Sequence, residues 1–156
     1  MFQTIVIGLD GSDGAKKAIP FATELARRDD ATLVIAHVEE YTIGKGGGPI
    51  HVNEDEVRAE LEDLAKSLSD DGIETSVKVE TIRIGGPAHG IDDIAKRADA
   101  DLIVVGTRGH TALSNLLLGS VAQRLLAIAK QPVFVVPEDV KAPAGSKGTA
   151  AVSASN

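Results

Sequence analysis

Five short runs of apolar and β-branched residues, each separated from the next by a stretch of helical period, leave this chain few folds to choose from. Thr4–Leu9 (TIVIGL) is apolar on nearly every position. Such a run suits a central parallel strand that helices cover on both faces, rather than a strand with one wet side. Ala31–Val38 and Asp101–Val105 read the same way, and Pro132–Val136 is a short fifth run. Ile73–Ile84 differs: Val77, Val79 and Thr81 alternate with Ser76, Lys78 and Glu80, which predicts a strand with one wetter face.

The intervening segments carry helical spacing. Ala15, Ala18, Ile19, Ala22, Leu25 and Ala26 fall at three- and four-residue intervals, with Ser12 or Asp13 placed to cap them. Pro20 lies inside that pattern and removes a backbone donor, so an irregular or late helix start is expected there. Val52, Val57, Leu61, Leu64 and Leu68 line one face of a helix within His51–Asp70, which Gly72 stops. Pro87 suits the first turn of a helix over Ala88–Ala98, and Ser120–Lys130 is a compact helix. Glu39–Ile50, containing Gly44 to Pro49, is too glycine-rich for regular structure, and no role is assigned to it.

The resulting β-α-β-α-β-α-β-α-β order implies an α/β fold, an open parallel sheet with right-handed crossovers and helices on both faces. The domain is expected over residues 1–138. Residues 139–156, rich in Ala, Gly, Ser, Lys and Pro, are expected to be a disordered tail.

Composition narrows the function. Twenty-three acidic residues against sixteen basic ones give a net charge of −7, and only three Phe, one Tyr and no Trp are present. A basic, aromatic-lined groove for nucleic acid is therefore not expected. No cysteine occurs, which excludes disulfides, thiolate metal sites and a catalytic thiol. No apolar run approaches the ~18 residues of a membrane helix, and no signal-peptide pattern opens the sequence, so a cytoplasmic location is expected.

Ligands in such sheets bind at the carboxyl ends of the strands, where the strand order reverses. That places interest on Asp10-Gly11-Ser12 after the first run and on Gly106-Thr107-Arg108-Gly109 after the fourth. Glycines three apart let backbone N–H groups approach an anion, and Gly119-Ser120 opens a helix whose N-terminus favours phosphate. The plainer alternative is turn chemistry, with Ser120-x-x-Gln123 as a capping box and Asp10 as a turn acid. Arg108 and His110 read either as phosphate-facing groups or as ordinary loop residues. The four histidines, His37, His51, His89 and His110, show no metal-ligand spacing. His37 is expected to be a satisfied core residue, and no metal site made of protein ligands alone is expected.

Gly106-x-x-Gly109, nine further residues, then Gly119-Ser120, resembles the nucleotide-binding signature of the universal stress protein family. Ile5-Val6-Ile7-Gly8-Leu9-Asp10-Gly11-Ser12 is similar to the opening of that family, and Gln131 to Pro137 to its last strand. The resemblance spans Met1 to Pro137. It implies a five-stranded sheet of order 3-2-1-4-5, the adenine nucleotide alpha-hydrolase-like fold, and membership of the ATP-binding branch, since a second branch lacks these glycines. Carried over by position, Asp10 would face the ribose and phosphates, and Val38, ending the second strand, would offer its backbone to adenine. Gly106 and Gly109 would line ribose and phosphates, and Gly119 and Ser120 would bind phosphate. Mg2+ or Mn2+ would accompany the ATP, and Val133, Phe134, Val135 and Val136 would pair two copies into a homodimer. The function implied is ATP binding in a stress-response regulator. A nucleotide-independent dimeric interaction module and a slow ATPase stand as alternatives. No Walker A sequence is present, so efficient turnover is not expected.

Overall fold

In a computed structural model, the structure describes residues 1–40, 54–107 and 118–144. The chain runs β1 (Thr4–Gly8), α1 (Asp13–Lys16), α2 (Ile19–Asp29), β2 (Thr32–Glu40), α3 (Glu54–Asp70), β3 (Thr75–Ile82), α4 (Pro87–Arg97), β4 (Leu102–Gly106), α5 (Ser120–Ile128) and β5 (Val133–Val136). The five strands form one sheet of order β3-β2-β1-β4-β5, and every neighbouring pair is parallel. Parallel neighbours need crossovers, which the helices supply on both faces.

Alternation along the strands feeds two cores. Ile5, Ile7, Leu33, Ile35, Leu102 and Val104 point to one face, where they meet Ala18, Ala22 and Ala26 of the first helical segment and Leu61 and Leu68 of α3. The small alanine face lets that helix sit close to the sheet. Val6, Val34, Ala36, Ile103 and Val105 point the other way, onto Ile91, Ile94 and Ala95 of α4 and Ala122 and Leu125 of α5. Each fully buried Ile or Leu contributes about 1.5–3 kcal/mol relative to exposure, so the central strands anchor the domain.

Pro20 acts as its chemistry predicts. The helical pattern breaks between α1 and α2 at Lys17-Ala18, which puts the proline at the start of α2, where its missing donor costs nothing. Ser12 caps α1, its Oγ accepting from the Ala15 N–H. Three expectations need correction. β2 does not end at Val38 but continues to Glu40, because Glu39 and Glu40 keep pairing with Thr81 and Ile82 of β3. Ser120 does not cap α5: Gly119 holds the cap position, Ser120 is the first helical residue, and the Gln123 side chain donates to the Leu118 carbonyl. The first helix is two helices. The glycine-rich 44–49 segment and residues 145–156 lie outside the described residues, and 139–144 carry no helix or strand.

Candidate functional site

The carboxyl ends of β1 and β4 are neighbours in the sheet, and β1 is where the strand order reverses. The loop after β1 is organised by Asp10. Its Oδ1 accepts from the Ser12 N–H at 2.9 Å and from the Ser12 hydroxyl at 2.5 Å, and that hydroxyl caps α1. Asp-x-Ser is thus a self-consistent turn that fixes the Asp10 carboxylate at the sheet edge.

Gly106, the last residue of β4, approaches this turn backbone to backbone. A Cβ placed on Gly106 would lie 2.4 Å from the Gly14 carbonyl oxygen and 3.1 Å from the Ala15 Cα. Only glycine permits that contact. The next residue, Thr107, donates its N–H to the Val136 carbonyl at 2.9 Å and accepts from the Gly119 N–H through its own carbonyl. Two hydrogen bonds therefore draw the end of β5 and the start of α5 to the end of β4. The α5 cap has no side-chain hydrogen bond, so its first N–H groups are not occupied by a capping side chain.

Val38 lies on β2, and β1 reaches it through the Leu9 N–H bond to the Ala36 carbonyl at 2.9 Å. Its side chain packs on α4, where Gly90 leaves it room: a Cβ there would fall 2.7 Å from Val38 Cγ2. The structure therefore brings Asp10, Gly106, Gly119 and Ser120 to one edge of the sheet, with Val38 on the adjoining strand. Gly109, Arg108 and His110 lie outside the described residues.

One group was not visible in the sequence. His37 is buried as expected, and both its ring nitrogens are engaged: Nδ1 lies 2.8 Å from the Leu9 carbonyl oxygen and Nε2 2.7 Å from Glu54 Oε2. Glu39, two residues on, is also buried. The Arg58 guanidinium, hydrogen-bonded to Glu39, holds that carboxyl below the usual carboxylate range, with the Thr81 hydroxyl assisting. Ligand atoms of His37, Glu39 and Glu54 all lie within 4.8 Å of one another. Glu54 is too far along the chain for any spacing rule to link it to His37.

An open doubly wound sheet with a close glycine approach and a helix start that no side chain caps at its switch point defines a class of α/β domain that takes ligands at the carboxyl ends of its strands. Within that class the chain belongs to the universal stress protein family, which it matches over residues 1–137. Universal stress protein YxiE of Bacillus subtilis is 35% identical over 147 residues, covering 87% of this chain and 99% of the relative. A universal stress protein in complex with cAMP is 27% identical, with a TM-score of 0.61 over 88% of this chain and 98% of that one. The universal stress protein from Archaeoglobus fulgidus in complex with dAMP is likewise 27% identical with a TM-score of 0.61, over 86% and 97%. Among the described residues, no helix is long and apolar enough to cross a membrane.

Proposed function

We propose that this protein binds ATP at the carboxyl edge of its sheet and acts as a cytoplasmic stress-response regulator. The observation that carries this reading is the junction of Gly106, Thr107 and Gly119, which sets an α5 N-terminus without a capping side chain beside the carboxyl end of β4. Free N–H groups and the helix dipole favour phosphate there. The complexes of related proteins with cAMP and dAMP support an adenine nucleotide as the ligand class.

In this reading Gly119 and Ser120 bind phosphate, and Gly106 and Gly109 line the ribose and phosphates. Asp10, held in place by Ser12, faces the ribose and phosphates, and the Val38 backbone meets adenine. Mg2+ or Mn2+ arrives with the nucleotide and neutralises phosphate charge. Homodimerisation through Val133–Val136 is part of the same proposal. β5 is an outer strand of the sheet, and Phe134 on it is 39% exposed.

The test is displacement of a fluorescent ATP analogue by ATP, with wild type compared to Gly119→Val. The backbone at Gly119 (φ −67°, ψ 158°) suits any residue, so the variant is expected to fold and to lose nucleotide binding. A folded Gly119→Val protein with undiminished affinity would remove phosphate from the α5 start.

A further inference from the structure

Buried His37 and Glu39 sit two residues apart on β2 and so share one face of the sheet. Onto that face the first residue of α3, Glu54, brings its carboxylate. The hydrogen bond to Leu9 fixes the orientation of the ring. A carbonyl oxygen has no proton to give, so Nδ1 carries a hydrogen and Nε2 is the ring atom turned to Glu54. Nε2 faces Glu54 Oε2 across the end of the sheet. At 2.7 Å the two atoms share either a proton or a cation.

A third donor and a supporting shell are already in place. The Glu39 carboxylate is within reach of both groups and is held by Arg58 and Thr81. Imidazole fixed by a backbone carbonyl and carboxylate fixed by neighbouring donors are the outer-shell contacts that orient metal ligands. The charge also favours a dication. Glu39, Glu54 and the neighbouring Asp55 surround Arg58, three carboxyl groups against one guanidinium.

From this geometry we infer that His37, Glu39 and Glu54 form a binding site for a first-row divalent metal ion, Zn2+ foremost. One imidazole nitrogen and two carboxylate oxygens suit Zn2+, and three protein ligands leave a fourth position open. Mg2+ prefers an all-oxygen, octahedral shell and is a poor fit. The site uses side chains other than those assigned to the nucleotide. It ties the start of α3 to the carboxyl end of β2 and, through Leu9, to the end of β1.

The full chain, stripped of metal and nucleotide, is titrated near neutral pH with Zn2+ by calorimetry and with Co2+ by visible absorption. About one equivalent per chain is expected, with the intense ligand-field bands of a four-coordinate Co2+ site. A large excess of Mg2+ should not displace it. Glu54→Gln and His37→Gln should each weaken Zn2+ binding by about 100-fold or more. Glu56→Gln, which removes equal charge from the same exposed helix turn, should leave it unchanged. If His37→Gln fails to fold, Glu54→Gln keeps the test, because Glu54 is partly exposed at a helix start. No saturable uptake by wild type would assign the His37–Glu54 contact to a shared proton and overturn the site. Uptake that survives Glu54→Gln in a folded protein would overturn it too, since the ion would then lie elsewhere.

Discussion

Replacing Gly106 with alanine isolates what the first glycine of the loop does for the fold. The new methyl would lie 2.4 Å from the Gly14 carbonyl oxygen, 3.0 Å from its carbonyl carbon and 3.1 Å from the Ala15 Cα. Carbon contacts are comfortable at about 3.5–4 Å, so the end of β4 and the start of α1 must separate by about 1 Å. All three obstacles are backbone, and none can rotate aside as a side chain would. Overpacking costs about 1–3 kcal/mol, and relief by backbone movement alone puts Gly106→Ala near the upper end, at about 3 kcal/mol. At roughly 2–4 °C per kcal/mol for a domain of this size, the melting temperature should fall by about 6–12 °C. Circular dichroism melts of nucleotide-free protein read this directly. Gly119→Ser is the comparison, because serine is a favoured cap residue and that backbone is extended. It should melt within about 2 °C of wild type. A Gly106→Ala protein that melts like wild type would refute the close approach of β4 to α1.

Three other outcomes follow from the packing. Asp92 is buried on α4; among the described residues its Oδ1 has no hydrogen-bond partner, while Oδ2 is paired to Lys96. Asp92→Leu should therefore be neutral or stabilising by about 1 kcal/mol; a loss of more than that in urea unfolding would show that the Lys96 pair matters. Asp29 accepts from the Arg28 guanidinium and the Phe2 N–H, which hold its carboxyl down at about 2 against an ordinary 3.8. Because the folded value is the lower one, this stabilisation is complete above the unfolded value and disappears as pH falls toward about 2. Asp29→Asn should accordingly narrow the stability difference between pH near neutral and strong acid, and an unchanged acid limb would contradict the pairing. A chain ending at Asp139 should melt and bind nucleotide as the full chain does, since Val136 is the last described residue packed in the core; a lowered melting temperature would mean that the tail docks.

Periodicity was enough to place the strands and helices, because two-sided burial writes itself as continuous Ile and Val, and the Pro20 break followed from one missing donor. The order of the strands was not legible from the residues and came from the family likeness. Local rules failed where tertiary contacts decide. Glu39 and Glu40 look like the end of a strand, yet Arg58, nineteen residues beyond Glu39, neutralises Glu39 and lets β2 continue. Ser120-x-x-Gln123 has the spacing of a capping box, but the bond from Gly119 to Thr107 sets the cap one residue earlier. Asp92 occupies an apolar helix face that its chemistry argues against. The His37–Glu54 contact joins a strand to a helix seventeen residues on, which no spacing rule reaches.

Calorimetry of nucleotide-stripped protein with ATP and Mg2+ tests the proposed nucleotide cradle most directly. A saturable isotherm near one nucleotide per chain is the result the geometry of Asp10, Gly106 and Gly119 predicts. A flat trace from protein shown by circular dichroism to be folded would contradict it, leaving those glycines to shape the loop alone.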